Sequence, residues 1–347
     1  VQCDQLAEME YHHPFCNRTG KLFAGDTFVD DSAGTGLVHV APGHGQDDYN
    51  LGRMNGLPIY SPVDDTGCLT RTADLPEEHQ ISDELVGKQI LERNGRCEAN
   101  DAVIEQLKAD NKLAFEERYE HSYPHCWRSK SPVIFRAMDQ WFVNIDHDGF
   151  RNKALAAIEG VNWVPGWGRN RIEGAVQSRP DLCISRQRSW GVPIPAFYDA
   201  QGEPILDARI VRNTADLVQK HGSNVWFERE LTDLWAAVKP ADWDGTEAVG
   251  KSTDTLDVWI DSGSSSRAVL MQRDELGRPG AEADTPAAWQ ADYYLEGSDQ
   301  HRGWFQSSLL LSLAGNGVAP YRNVLTHGFM VDADREKISK SKQAGSY

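Results

Sequence analysis

The sequence predicts an α/β fold with a parallel sheet, joined to a strand-rich region of mixed structure. Two short apolar runs, residues 293–296 and 323–326, flank a helical pattern at residues 300–314. Strand, helix and strand joined by short loops are typical of a parallel sheet. A third apolar run, residues 256–260, is predicted to be another strand of this kind. Residues 1–70 contain β-branched and aromatic runs between glycine, proline and aspartate, which favours strands.

The remaining elements follow from spacing and from turn residues. Apolar side chains at helical spacing predict helices beginning near residue 47 and covering residues 85–93, 102–107 and 150–158. Residues 195–250 are rich in acidic groups and short turns and carry three tryptophans, so we predict a small inserted module there.

Composition is that of a water-soluble globular protein. The chain has 347 residues, of which 40% are hydrophobic and 25% charged, enough for two or three compact units. Since no long uncharged apolar run occurs, we expect no membrane span and no contact with a membrane. The first residue is Val1 and no basic segment precedes an apolar one, so we expect no signal peptide.

The cysteines predict a reducing compartment. All six are widely spaced and none forms a C-x-x-C pair, so neither a zinc knuckle nor a redox dithiol is indicated. Scattered free thiols favour the cytoplasm over an oxidising compartment. We therefore expect a cytoplasmic protein with no tightly bound metal.

The net charge of −17 disfavours nonspecific binding of nucleic acid by the whole chain. A nucleic acid would have to meet a local basic cluster. Two tryptophans, Trp167 and Trp190, are interleaved with the candidate arginines. These arginines are Arg169, Arg171, Arg179, Arg186 and Arg188. The alternative is a set of solvated arginines, some of them paired with carboxylates.

A lysine-rich segment follows the last predicted strand. Residues 337–341 read Lys-Ile-Ser-Lys-Ser, so Lys337 and Lys340 lie three positions apart among small hydroxyl residues. Such a loop can surround a polyphosphate with positive charge and donors. Surface loops rich in lysine and serine are common, but strand ends of open α/β sheets are where nucleotides bind.

A second polar group follows the strand at residues 293–296. Glu296 ends the strand, Gly297 and Ser298 let the backbone approach a ligand, and Asp299 precedes a helix. Asp299 could accept hydrogen bonds from ribose hydroxyls, and Glu296 could bind an ammonium group. In the alternative, Ser298 or Asp299 only caps the helix.

The third segment, residues 34–49, runs through a glycine-bordered turn to Asp47 and Asp48. The turn could place His39 and Asp48 on one pocket wall, to position water or a hydroxyl and to bind a cationic amine. Two alternative interpretations remain. The segment could form a metal site, or it could be the start of a helix whose dipole the two aspartates stabilise.

Together these motifs resemble the isoleucyl-tRNA synthetases of bacterial type. Seven segments occur in the family order, at residues 34–49, 123–127, 139–143, 184–195, 257–263, 296–305 and 325–341. The resemblance implies the second half of a class I synthetase nucleotide-binding (Rossmann-like) parallel sheet. It also implies that residues 1–120 are the C-terminal part of the editing (CP1) domain and that residues 121–347 belong to the catalytic domain.

The resemblance also implies roles for individual residues. Lys340 would be the ATP-contacting lysine of the loop usually written KMSKS, which Lys337 opens, with Ile338 in place of methionine. Trp259 and Trp304 would flank the isoleucine side chain, and in the editing part Asp48 would hold the amino group of a mischarged residue, with His39 beside the ester. The adenylate pocket would be lined by Glu296, Gly297, Asp299, Gln300 and His327.

The implied activity is that of an isoleucine–tRNA ligase with hydrolytic editing of mischarged valine. Its ligands would be ATP with Mg²⁺ as substrate, isoleucine and tRNA(Ile), bound by a monomer. No His-Ile-Gly-His segment occurs, so we expect an internal fragment, inactive alone. Cys126 has no second cysteine close by, so we expect no zinc there. A free-standing editing deacylase and a tRNA-binding module without activation are the alternatives.

Overall fold

The computed structural model describes residues 6, 9–25, 28–29, 34–73, 75–92, 96–118, 120–126, 129–282 and 285–338. The chain divides into two compact units, Val1–Asp139 and Gln140–Tyr347. The helices are α1 (Gln46–Met54), α2 (Glu98–Ala109), α3 (Phe150–Glu159), α4 (Trp167–Gln177), α5 (Ala208–His221), α6 (Val225–Glu228), α7 (Leu231–Val238), α8 (Val258–Gly263), α9 (Ser265–Ala268), α10 (Pro286–Trp289) and α11 (Trp304–Asn316).

The strands are short, apart from two of seven residues in the second unit. They are β1 (Glu10–His12), β2 (Thr19–Lys21), β3 (Phe142–Val143), β4 (Asn162–Val164), β5 (Leu182–Cys183), β6 (Ser185–Arg186), β7 (Phe197–Tyr198), β8 (Pro204–Ile205), β9 (Gly250–Lys251), β10 (Thr255–Leu256), β11 (Ala291–Gly297) and β12 (Tyr321–His327).

A parallel sheet in the order β11-β12-β4 organises the second unit. Gly297 pairs with His327, and Val164 pairs with Leu325, so the carboxyl ends of the three strands meet at one edge. The predicted strands at residues 293–296 and 323–326 are confirmed, and each extends by a few residues. Helix α11 connects them, as the strand–helix–strand pattern predicted.

The core of the second unit lies between this sheet and helices α3, α4 and α11. Burial of its apolar side chains supplies most of the stabilisation, at about 25 cal/mol per Å² removed from water. Helix α11 is buried along most of its length and ends at Gly317, whose φ of 74° is the left-handed conformation that glycine tolerates. The core residues are Ile145, Ala154, Ile158, Val161, Trp163, Ile172, Val176, Tyr294, Phe305, Leu309, Leu310, Ala319, Tyr321 and Val324.

The predicted strand at residues 256–260 is wrong beyond Leu256. Only Thr255 and Leu256 pair with β6, and helix α8 begins at Val258. The reason is the side chain of Asp257, which accepts a hydrogen bond from the backbone N–H of Trp259 at 2.7 Å. This helix cap turns an apolar run into a helix.

Residues in the range 195–250 share a hydrophobic core of their own. An antiparallel sheet in the order β8-β7-β9 packs with helices α5 to α7. The indole N–H of Trp226 donates to the backbone oxygen of Ser252 at 2.8 Å, so this fully buried ring keeps its polar atom satisfied. The module's core consists of Phe197, Ile210, Trp226, Leu234, Trp235 and Val238.

The prediction that residues 1–70 are strand-rich is wrong for the part of that range that the structure describes. Strands β1 and β2 form one antiparallel pair, and residues 36–40 form no strand. Leu37 and Val38 are more than half exposed, so no neighbouring surface covers the apolar run. Residues 85–92, the described part of the helix predicted at 85–93, form no helix, whereas α1 and α2 confirm the helices predicted near residue 47 and at 102–107.

Candidate active site

The ends of β11 and β12 carry a carboxylate and an imidazole side by side. Nε2 of His327 lies 3.9 Å from Oε2 of Glu296, and both side chains are about half exposed. The same Glu296 oxygen accepts a hydrogen bond from the N–H of Gly297 at 3.2 Å. Nδ1 of His327 hydrogen bonds to the backbone oxygen of Gly328 at 2.8 Å. Both groups are therefore oriented by backbone yet remain open to a ligand.

Space is tight directly after Glu296, which favours glycine at position 297. A Cβ atom at Gly297 would lie 2.9 Å from Oδ1 of Asp299 and 3.0 Å from the ring of Phe329. This close approach lets the chain turn into a short 3₁₀ helix, Ser298–His301, with the Asp299 carboxylate more than half exposed. Neither Ser298 nor Asp299 makes a side-chain cap of α11, so capping does not account for them.

Gln300 supports the start of α11. Its Oε1 accepts a hydrogen bond from the N–H of Trp304, the first residue of the helix, at 2.8 Å. The same oxygen would lie 2.6 Å from a Cβ atom at Gly303, so that position also needs glycine. The Gln300 oxygen is thus engaged with the protein, and its amide nitrogen is the group left for a ligand.

An acidic hairpin follows β12 and directs Lys337 back toward the strand ends. Val331 pairs with Lys337 as an antiparallel bridge, and the N–H of Ile338 donates to the oxygen of Met330 at 3.0 Å. The Asp332 carboxylate accepts from the N–H groups of residues 334 and 336 at 3.0 and 2.9 Å. This turn explains why acidic residues precede the lysine segment.

The hairpin brings Lys337 to the loop that follows β11. Its Nζ lies 3.9 Å from Oδ2 of Asp299 and 3.5 Å from the centre of the Phe329 ring, a cation–π contact. The structure thus unites the two polar segments that the sequence analysis singled out. Lys340, with Ser339 and Ser341, lies outside the described residues.

The two predicted amino-acid-binding tryptophans flank Gly303 but differ in their environments. The ring of Trp259 would lie 2.8 Å from a Cβ atom at Gly303 and is 42% exposed. Trp304 stacks on Tyr294 with ring centres 4.1 Å apart, and its indole N–H donates to the oxygen of Ser262 at 2.9 Å. Trp259 is therefore available to a ligand, whereas much of Trp304 serves the core.

Sequence reasoning missed a buried histidine at the strand ends. His301 is fully buried, with Nδ1 2.9 Å from the oxygen of Ser298 and Nε2 3.4 Å from Oγ1 of Thr326. Burial lowers the pKa of His301, so the ring is neutral and joins the end of β11 to that of β12. No motif marks this position, because its role depends on the pairing of two strands distant in sequence.

The predicted basic cluster separates into paired and unpaired arginines. Arg169 forms ion pairs with Glu173 and Glu159, and Arg186 lies 2.5 Å from Asp257. These pairs fit the alternative of solvated arginines with carboxylate partners for part of the cluster. Arg171 of the predicted cluster borders an open cavity of about 580 Å³. Arg302, which is outside the cluster, and Asp299 also line this cavity.

In the first unit, Asp48 lies in the first turn of α1 and holds the preceding loop. Its Oδ1 accepts a hydrogen bond from the N–H of Ala41 at 3.2 Å, and its Oδ2 would meet a Cβ atom at Gly45. His39 is exposed. Among the contacts of the described residues, none joins His39 to Asp48, so the predicted shared pocket wall stays a prediction.

The described residues offer neither a metal site nor a membrane-spanning helix. Those residues contain no group of three or more His, Cys, Asp or Glu side chains placed to hold a metal ion. Their helices are all too short or too polar to cross a bilayer.

A parallel sheet whose strand ends carry carboxylates, a glycine turn and a lysine hairpin defines a nucleotide-binding α/β protein. The sequence matches the family described as tRNA synthetases class I (I, L, M and V) over residues 7–346. The chain belongs to this family.

The chain is similar to isoleucine–tRNA ligases over almost its whole length. It is 49% identical to that of Methylacidiphilum infernorum over 98% of this chain and 34% of the relative. It is 47% identical to that of Synechococcus sp. strain CC9311, over 98% and 32%. The chain therefore spans about a third of the length of these curated relatives. Methionyl-tRNA synthetase of Mycobacterium tuberculosis is similar at 18% identity and a TM-score of 0.34, over 62% of this chain and 30% of that one.

Proposed function

We propose that this chain is the segment of an isoleucine–tRNA ligase that binds the adenylate and the leaving pyrophosphate. The observation that carries the proposal is the meeting of Lys337 with Asp299 at the ends of β11 and β12. Family membership and the similarity to isoleucine–tRNA ligases support the choice of reaction and of amino acid.

In the proposed reaction, the isoleucine carboxylate attacks the α-phosphate of ATP, and the bond to the β-phosphate breaks. Negative charge grows on the departing pyrophosphate, which arrives with Mg²⁺ as part of the substrate. Positive groups preorganised at that position lower the barrier most, and this is the role proposed for Lys337 and Lys340. The acyl group then passes from the adenylate to tRNA(Ile).

The strand ends would hold the other parts of the adenylate. Glu296 suits the ammonium group of isoleucine, and Asp299 can accept ribose hydroxyls, because both carboxylates are about half exposed. Gly297 lets the nucleotide approach the backbone, and His327 with the Gln300 amide nitrogen completes the rim. The exposed ring of Trp259 would contact the isoleucine side chain, with Trp304 beside it.

We further propose that the first unit contributes to hydrolytic editing of mischarged valine. One missing methylene is worth only about 1–3 kcal/mol of discrimination, a limit for which this enzyme family is itself the standard example. Asp48 would bind the amino group and His39 would lie beside the ester. The bond from Ala41 to Asp48 supports this role, because it orients the carboxylate.

Isoleucine-dependent exchange of pyrophosphate into ATP tests the proposal in the full-length protein that contains this segment. Lys337→Met is expected to lower the exchange rate roughly 100-fold, by analogy with loss of one charge-stabilising donor. Lys153→Met, on the exposed side of α3, is the matched control and should leave the rate unchanged. Equal rates for all three proteins would refute a role of Lys337 in activation.

A further inference from the structure

A second cavity, of about 240 Å³, lies beside the start of α11 and is lined largely by side chains to which the proposed function gives no role. Its charged wall consists of Arg179, Arg186, Arg302 and Asp257. Three guanidinium groups thus face one carboxylate, in a chain whose net charge is −17. Trp259, proposed above to contact the isoleucine side chain, also lines this cavity, whereas Glu296, His327 and Lys337 do not.

Only one of the three arginines forms an ion pair with the cavity's carboxylate. Arg186 and Asp257 form an ion pair at 2.5 Å, and the Asp257 side chain is only 10% exposed. For Arg179 and Arg302, the described part of the chain provides no ion pair with any carboxylate. The charge of Asp257 also acts on Arg179. One carboxylate thus serves two of the three arginines, and the wall keeps an excess of positive charge.

Buried donors without partners also border the cavity. A guanidinium nitrogen of Arg179 donates to Oε1 of Gln306, which fixes both side chains. Nε of Arg179 and Nε2 of Gln306 are buried and have no hydrogen-bond partner, although Gln306 is only 1% exposed. An unpaired buried donor destabilises the protein, so a ligand oxygen that pairs with one of these donors would be bound more tightly.

We infer that this cavity binds a phosphate group. The oxygens of a phosphate can accept from Arg179, Arg302 and Gln306 at once, and guanidinium groups bind phosphate with two donors each. Gly303, Gln306 and Ser307 place the cavity at the N-terminus of α11, where the helix dipole adds attraction for an anion. The inference does not depend on the proposed adenylate site.

Titration of the chain with inorganic pyrophosphate and with a short single-stranded RNA, followed by calorimetry, tests the site. In the Lys337→Met chain, which lacks the lysine of the proposed nucleotide site, we expect saturable 1:1 binding of one probe, weakened at least tenfold when Arg302→Met is added. Arg302 is exposed, so the variant should fold. Arg212→Met, on the exposed face of α5, is the matched control and should bind as the unmodified chain does. Tighter binding of pyrophosphate would identify a free phosphate compound as the ligand, and tighter binding of the RNA would identify a nucleic-acid backbone phosphate.

Lys337→Met separates this site from the proposed nucleotide site. Binding that persists in Lys337→Met and weakens in Arg302→Met supports the inference. Binding that is lost in Lys337→Met and unchanged in Arg302→Met overturns it, as does the absence of saturable binding of either probe. Gln306→Leu should weaken binding in the same direction as Arg302→Met, because it removes the unpaired Nε2 donor.

Discussion

The ammonium group of Lys337 lies 3.9 Å from the carboxylate of Asp299, and the two residues belong to loops at the ends of different strands. Because β11 and β12 are parallel, both loops emerge at the same edge of the sheet. The contact closes one side of a polar site whose other members are Glu296 and His327. Several consequences can be measured.

The Lys337–Asp299 contact is expected to matter for ligand binding and little for folding. Both side chains are more than half exposed, and exposed ion pairs contribute about 0–1 kcal/mol. Asp299→Asn should therefore lower the free energy of unfolding by less than about 1 kcal/mol. Urea denaturation of Asp299→Asn beside the unmodified chain provides the measurement, and a much larger loss would mean that the pair is structural.

Trp304 and Trp259 should respond differently to truncation. Trp304→Ala removes the stack on Tyr294 and the bond to Ser262, and should cost about 3 kcal/mol of stability. Trp259→Ala, at a 42% exposed ring, should cost about 1 kcal/mol while weakening isoleucine binding. Thermal unfolding and amino-acid titration of both variants distinguish the roles. Equal destabilisation would contradict the assignment of Trp304 to the core.

Gly43 should tolerate no side chain. A Cβ atom there would lie 1.9 Å from the backbone oxygen of Tyr60, so Gly43→Ala is expected to destabilise the first unit by about 1–3 kcal/mol. Gly174→Ala is the control, because this helical glycine has open space around it and should gain up to about 1 kcal/mol. Chemical denaturation reports both. A neutral Gly43→Ala would show that the loop is displaced easily.

The first unit should lose stability in mild acid through His13. Burial, with the charges of Arg18 and other neighbours, lowers the pKa of His13 from 6.5 to about 4. Its Nδ1 accepts from the N–H of Phe15 at 3.2 Å, which also favours the neutral ring. The unfolded state therefore binds a proton first, and the free energy of unfolding should fall as the pH drops from about 6.5 to about 4.

Denaturation of the chain and of His13→Gln across this pH range checks the prediction. The variant should show a shallower decline, since it lacks the titrating ring. The same slope in both proteins would assign the acid sensitivity to other groups. His125→Gln, at an exposed histidine of the first unit, is the matched control and is expected to leave the slope as it is.

Asp48 should have a structural role in addition to any part in editing. Asp48→Ala removes the bond to Ala41 and should cost about 1 kcal/mol, close to the loss of a helix cap. If the carboxylate also binds an amino group, hydrolysis of Val-tRNA by the full-length protein should fall by more than this loss of stability explains. Unchanged hydrolysis with reduced stability would leave Asp48 with the structural role alone.

The strand ends could be predicted from sequence because their signals are local. Apolar runs ending in Glu296 and His327, with a glycine turn and lysines nearby, predict polar strand ends without knowledge of packing. An antiparallel hairpin turns Lys337 toward Asp299, but the sequence predicted only an acidic turn at this place. The geometry of the hairpin depends on the pairing of Val331 with Lys337, which no local pattern indicates.

Other features depended on contacts between distant parts of the chain. The Arg186–Asp257 pair joins residues far apart in sequence, and the cap formed by Asp257 converted a predicted strand into a helix. The role of His301 has no local signal, since one of its partners, Thr326, lies in β12, distant in sequence. In the described part of the first unit, the β-branched run at residues 36–40 is exposed and pairs with no strand. Strand propensity alone could not predict whether a pairing partner would be present.

Binding of a non-hydrolysable isoleucyl-adenylate analogue tests most directly whether the strand ends and the lysine hairpin form one site. Calorimetry should show 1:1 binding to the chain, weakened at least tenfold by both Glu296→Gln and Lys337→Met and unchanged by Lys153→Met. Binding that neither Glu296→Gln nor Lys337→Met alters would contradict the assignment of both residues to a single adenylate site.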